Sequence, residues 1–274
     1  MSTIEEVKTF WNGRPCNIRH SPQPVGTREY FDEVEARKYF VEPHIPGFAQ
    51  FERWGRKKVL EIGCGIGTDS INFAKAGADL TVVEISEKSL EICKRRFQVY
   101  GQKARFFSGN AEALSSFVPV EPYDLIYSFG VIHHTPSPEK VFEEIKKYCH
   151  PHTEIRIMLY ARWSWKAFWI LLKYGKGAIW RADELIRTYS EAQTGCPVTY
   201  SYSFRDLHRL LADFEITEMR KDHIFPYKIE KYIHYQYEWV WYFRLMPKSL
   251  YRWLEHRLGW HILLVLGVKE SVNP

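Results

Sequence analysis

Three glycines at alternate positions, Gly63, Gly65 and Gly67, follow the apolar run of Val59, Leu60 and Ile62. Without Cβ atoms they let the backbone turn tightly and approach a ligand, and a helix starting at Thr68 adds free N–H groups and a positive dipole end. A ligand with acceptor atoms belongs there. Glu84 stands twenty-one positions beyond Gly63, closing a second β-branched run, Leu80–Glu84. A carboxylate at such a strand end can accept hydrogen bonds from both hydroxyls of a ribose, so the spacing matches a βαβ nucleoside site. Further on, His133 and His134 follow the apolar run Tyr123–Phe129. A neutral imidazole there can take up a proton near physiological pH.

The glycine spacing discriminates among nucleosides. A dinucleotide turn places its third glycine three positions after the second, whereas here the glycines alternate and Glu61 precedes them. This arrangement resembles the first motif of the class I S-adenosylmethionine-dependent methyltransferases. The resemblance continues through Phe107–Glu112, similar to the family's third-strand motif, and Tyr123–His134, similar to its fourth, and it covers roughly residues 50 to 160. It implies a Rossmann-like α/β fold, a doubly wound, mostly parallel sheet with an antiparallel seventh strand and helical cap insertions. It also implies S-adenosylmethionine as cofactor, with S-adenosylhomocysteine as product. The positions it assigns to that cofactor are Glu61, Gly63, Cys64, Gly65, Gly67, Thr68, Asp69, Glu84, Ile85, Asn110, Ala111, Glu112 and Phe129. The family more often carries Asp where Asn110 stands, to accept from the adenine amino group; the Asn carbonyl oxygen can accept that bond too.

The elements that must hold these residues alternate regularly. A helix over Thr68–Ala76 stops at Gly77, and one over Ser86–Tyr100 is capped by Ser86 and stopped by Gly101. Strands are expected at Ala104–Phe107, Leu125–Phe129 and Glu154–Tyr160, with a helix opened by Pro138 between the last two. Such alternation implies a parallel sheet with ligands at the carboxyl ends of its strands. Residues 1–50 read as an N-terminal lid: a first helix boxed by Ser2 and Glu5, an irregular stretch, and a helix over Thr27–Phe40. Trp11, Arg14 and His20 are lid candidates. Tyr30, Arg37 and Tyr39 are expected to face the cofactor, with Arg37 on its methionine carboxylate. Residues 51–160 form the core and 161–202 a cap insertion containing Tyr200, a candidate for substrate contact. Residues 203–274 complete the core, starting from a cap of Ser203 with Asp206 and ending in a strand over His261–Val268, around a second aromatic insertion at about 226–259. There, a helix over Ser249–Leu258 is expected to stop at Gly259.

Composition narrows the partners. At 274 residues one large α/β domain with embellishments suffices. The net charge of +5 is mild and no run of five basic residues occurs, which argues against a nucleic-acid footprint. No apolar run has the length of a leader or a membrane span, so a cytoplasmic protein is expected. The five cysteines form no Cys-x-x-Cys pair, and free thiols are the plain reading; the alternative is a thiol trio that binds arsenite, as in arsenic methyltransferases. Ten Trp and seventeen Tyr, dense after residue 160, suit caps over an apolar or aromatic acceptor.

For catalysis His133 is the first choice as base or orienting group and His134 the second, on the similarity of this His pair to quinone and natural-product methyltransferases. Oxygen is then the expected accepting atom. Adjacent His side chains in an extended segment point apart and no carboxylate completes a set, so no metal is expected there. The fourth-strand motif lacks the Asn-Pro-Pro-Tyr and Pro-Cys patterns of nucleobase methylases. Competing readings are a membrane-surface protein acting on a lipid-like acceptor through Tyr232–Trp260, methylation of RNA or protein, and cofactor binding without catalysis. The oligomeric state is left open.

Overall fold

The computed structural model describes residues 3–190 and 196–269. Seven strands form one sheet: β1 (Lys58–Ile62), β2 (Asp79–Glu84), β3 (Arg105–Ser108), β4 (Tyr123–Phe129), β5 (Cys149–Tyr160), β6 (Phe214–Asp222) and β7 (His261–Val268). Their order across the sheet is β3-β2-β1-β4-β5-β7-β6. The first five pair in parallel, and β7 enters antiparallel between β5 and β6. The order reverses between β1 and β4, so the crevice at their carboxyl ends is the expected ligand position in this topology.

Both faces of the sheet are covered, which is why its central strands read as continuous apolar runs. Leu60, Ile62, Ile126 and Ile157 pack into one core together with Val141 and Phe142 of helix Pro138–Lys146 and Leu207 of helix Phe204–Leu210. Their neighbours Val59, Leu125 and Tyr127 point to the other face, against Phe73 of helix Thr68–Lys75 and Leu90 and Phe97 of helix Glu87–Tyr100. The latter helix is capped by the Ser86 hydroxyl and ends on Gly101 in the left-handed conformation.

Helix Arg28–Val41 is capped by Thr27, and the capping box of Ser203 with Asp206 is present. Two local expectations are corrected. Ser2 lies outside the described residues, and the first helix, Ile4–Gly13, is boxed by Thr3 and Glu6. Gly259 ends helix Lys248–Leu258 at φ −57°, not in the left-handed region; a Cβ there would meet the Asp222 carbonyl oxygen at 2.3 Å, so close approach of two backbones is what asks for glycine.

The turn after β1 is the most constrained point of the fold. Gly63 has φ +81°, and a Cβ on it would stand 2.2 Å from Val131 Cγ2. Gly63→Ala is therefore expected to destabilise the protein by about 2–4 kcal/mol, combining backbone strain with overpacking. Urea denaturation of the two proteins reads this directly.

Candidate active site

The glycine turn is pinned onto the end of β2. The amides of Gly63 and Cys64 both donate to the Val83 carbonyl, at 2.7 and 3.2 Å. The Gly65 amide donates to Glu84 Oε2 at 2.8 Å, and the Ser86 amide to Glu84 Oε1 at 2.9 Å. A carboxylate has about four lone-pair directions, so each oxygen of Glu84 keeps acceptor capacity for a further donor. Burial raises the Glu84 carboxyl pKa, and the amides of Ser86, Gly65 and Ile85 oppose that rise.

Above this turn opens a cleft that spans about 950 Å³ with its open mouth included. Gly63, Cys64, Gly65, Thr68, Glu84, Ile85, Asn110, Ala111 and Phe129 line it, with Ile62, Val83 and Val131 as apolar walls. A Cβ on Gly65 would meet nothing within 4 Å, so its bare backbone faces open space. The Thr68 hydroxyl is buried without a hydrogen-bond partner. Trp11 of the first helix and Cys16 and Asn17 of the following segment close the other side.

Four of the residues expected at the cofactor act from behind this wall. Gly67 has φ +77°, and a Cβ there would lie 2.5 Å from Cys93 Sγ. Glu112 accepts from the Ser137 amide at 2.8 Å. Asp69 is buried and accepts from Lys38 Nζ at 2.7 Å, the Tyr39 hydroxyl at 3.0 Å and the Tyr127 hydroxyl at 2.9 Å. Glu61 is buried with one oxygen unpaired, and burial, helped by the nearby Asp69 charge, pushes its pKa up to about 8. Asn110 does reach the cleft, but its Oδ1 already accepts from the Glu112 amide at 3.0 Å, leaving one lone pair for a ligand.

The lid candidates separate in the same way. Trp11 lines the cleft. Tyr30 does not: it is fully buried and donates to the Ile18 carbonyl at 2.9 Å. Arg37 is also turned away, against the C-terminal insertion, donating to the Tyr232 carbonyl at 2.7 Å and stacking on the rings of Tyr232 and Tyr235 at 4.3 and 4.2 Å. The next residue, Lys38, is the cation that lines the cleft, and sequence reasoning passed over it. Burial works against its charge, but Asp69 and Glu42 outweigh that and raise its pKa. Tyr200 donates to the Pro136 carbonyl at 3.2 Å and lies outside the cleft wall.

Of the two histidines, the structure brings His134 to the cleft and buries His133 away from its lining. They occupy a 3-10 turn, Ile132–His134, with ring centroids 4.2 Å apart instead of pointing to opposite sides. His133 is fully buried against Tyr160, 3.8 Å between centroids, with neither ring nitrogen hydrogen-bonded; burial and then the neighbouring His134 hold its pKa well below the usual imidazole range. His134 lines the cleft. Its Nδ1 lies 2.9 Å from the Val198 carbonyl, which can only accept, so Nδ1 carries the proton and Nε2 of the neutral ring bears the lone pair. Trp11 packs edge-on to the ring at 5.3 Å. The arsenite reading is not supported, since among the described residues no three cysteines converge.

Comparisons with known proteins agree with this geometry. Residues 59–152 match the family model of a methyltransferase domain. The chain is 30% identical over 99 residues to a ubiquinone biosynthesis O-methyltransferase of Dechloromonas aromatica, covering 36% of this chain and 42% of that one. A protein of the same description from Nitrosospira multiformis is 31% identical over 86 residues, 31% and 36% of the two chains. The chain thus spans less than half the length of these curated relatives. Among solved structures, magnesium protoporphyrin IX methyltransferase from Synechocystis PCC 6803 with bound S-adenosylhomocysteine superposes with a TM-score of 0.60 at 15% identity, over 97% of this chain and 100% of that one. The [4+2]-cyclase SpnF gives 0.59 at 13% identity over 98% and 97%. At these identities the likeness is one of fold.

The Glu61 environment has a measurable consequence. A carboxyl whose pKa rises from 4.5 to about 8 on folding favours the folded state in its neutral form, so stability is lost as pH climbs through that range. Glu61→Gln should be progressively stabilised relative to the parent from pH 5 to pH 9, with an upper limit of about 5 kcal/mol. Thermal melts across that range check it; parallel curves would show that Glu61 ionises freely.

Proposed function

We propose that this chain, whose residues 59–152 match the model of a methyltransferase domain, transfers a methyl group from S-adenosylmethionine to a small apolar or aromatic acceptor, with oxygen as the accepting atom. The observation that carries the proposal is Glu84 at the end of β2, anchored by two backbone amides and still able to accept, beside a glycine turn that leaves room for a ligand. The residues fit that cofactor. Glu84 would take the ribose hydroxyls, Ile85, Asn110 and Ala111 the adenine, and the Thr68 hydroxyl a polar group of the amino-acid end. The cofactor supplies a methyl made electrophilic by its sulfonium, to be displaced in line by an acceptor held about 3 Å away.

The chain's own residues supply the rest. His134 Nε2, bearing the lone pair, would accept the proton of an acceptor hydroxyl, while the Val198 carbonyl fixes the tautomer. Trp11 and Phe129 would hold a flat apolar acceptor, and the N-terminal segment with the two insertions would exclude water. The relatives' O-methyltransferase descriptions support oxygen as the accepting atom. His134→Gln should lower kcat by about 10²-fold or more and leave S-adenosylhomocysteine affinity unchanged. His133→Gln should act on stability alone. Methyl transfer from labelled cofactor to a panel of phenols and quinols reads both, and unaltered turnover in His134→Gln would remove the base assignment.

A second reading, action at a membrane surface on a lipid-like acceptor, is favoured by how the insertions pack. Trp165 sits against Tyr242 and Phe243, at 5.9 and 5.7 Å, bringing helix Trp165–Lys173 beside helix Trp241–Arg244. Each leaves large apolar groups exposed: Phe168 and Leu172 (63%) on one, and Trp241 (68%), followed by Leu245 (76%), on the other. Lys173 and Arg244 accompany them, as at an interfacial surface. Among the described residues no helix is long and apolar enough to cross a membrane. Flotation with anionic liposomes should carry the protein upward, and Trp241→Ser with Leu172→Ser should abolish this. Absence of the parent protein from the lipid fraction would exclude the reading.

A further inference from the structure

Outside the cleft, three segments far apart in sequence bring ligating side chains together. Glu42 caps the carboxyl end of helix Arg28–Val41, His223 follows β6, and His261 opens β7. One ligating atom from each lies within 4.8 Å of the others, and the two histidines are buried. His261 Nε2 stands 3.7 Å from Glu42 Oε1. The imidazoles of His223 and His261 are stacked, 4.7 Å between centroids.

From this we infer that Glu42, His223 and His261 form a binding site for one divalent transition-metal ion, which staples helix Arg28–Val41 to the end of the sheet. Two imidazoles and one carboxylate are a donor set suited to zinc and its first-row neighbours, and too rich in nitrogen for calcium or magnesium. The remaining positions around the ion would be taken by water. Ligand atoms around a tetrahedral zinc stand about 3.3 Å apart, so the trio must contract by about 1.5 Å at most. Glu42, at a helix end and partly exposed, is the ligand of the three nearest to solvent.

The surroundings match such a site in two further respects. His44 Nε2 lies 3.0 Å from His261 Nδ1. If His261 binds through Nε2, its Nδ1–H donates to His44, the outer-shell bond that orients a metal-bound imidazole. His223 has φ +69°, a left-handed backbone that a histidine adopts at a cost and that points to a local constraint. Lys38, one turn before Glu42 on the same helix, is held by Asp69 at 2.7 Å and also feels the Glu42 charge, and the Lys166 charge acts on both histidines. The site is one aromatic ring away from the cleft: Phe129 lines the cleft, and its ring centroid lies 5.7 Å from that of His261.

The test uses the full chain, freed of metal with a chelator and titrated with Co²⁺ as a spectroscopic probe. Saturation at one equivalent, with visible bands and no thiolate charge-transfer band, is expected, together with a rise in Tm that zinc reproduces. Glu42→Gln alters a partly exposed carboxylate, and His223→Gly relieves the positive φ while removing the imidazole, so both should fold. Each should weaken Co²⁺ binding by roughly tenfold or more and lose the Tm rise. A parent protein that takes up no stoichiometric Co²⁺, shows a thiolate band, or binds as well after both substitutions would overturn the site. Because the readouts are metal content, spectrum and stability, the outcome is independent of methyl transfer.

Discussion

The rest of the site depends on one interaction, the buried carboxylate of Glu84 accepting from the backbone amides of Gly65 and Ser86. Those two bonds tie the turn after β1 to the turn after β2 across the parallel ladder that joins the strands. The carboxylate lines the cleft, and each of its oxygens keeps acceptor capacity. A carboxylate buried without such donors would be strongly disfavoured, so the same bonds that build the turn also make the charge tolerable.

A second polar knot supports the first from beneath. Asp69, in the first turn of the helix after the glycines, gathers Lys38, Tyr39 and Tyr127, which come from the N-terminal helix and from β4. This fixes the N-terminal segment over the cleft and places Lys38 in its wall. Glu61 lies alongside without full hydrogen bonding, and it responds by retaining its proton up to about pH 8. The histidines behind Phe129 and Tyr160 are pushed by burial toward their neutral form.

Most of the fold was legible in the sequence because its signals are local. Apolar runs closed by Gly77 and Gly101, caps at Ser86 and Ser203, and Pro138 at a helix start each act within a few residues. The doubly wound, mostly parallel sheet and its antiparallel seventh strand followed from the family resemblance. Side-chain direction was not legible. Whether Arg37 or Lys38 faces the cleft is a matter of 100° of helix rotation, and it was settled by the tyrosines at 232 and 235, about two hundred positions away, which capture Arg37. Nor was it legible which of His133 and His134 lines the cleft, since both sit in a 3-10 turn with their rings 4.2 Å apart. Nothing local connects Glu42, His223 and His261, which meet only because β7 inserts between β5 and β6.

The most direct test of the central claim is calorimetric titration of S-adenosylhomocysteine into the parent protein and into Glu84→Gln, which keeps the shape but loses the charge. The account predicts one-site binding to the parent, and in the variant a loss of about 1–3 kcal/mol, the worth of hydrogen bonds to a charged acceptor. Equal affinity in the two proteins, or no binding to the parent, would contradict it.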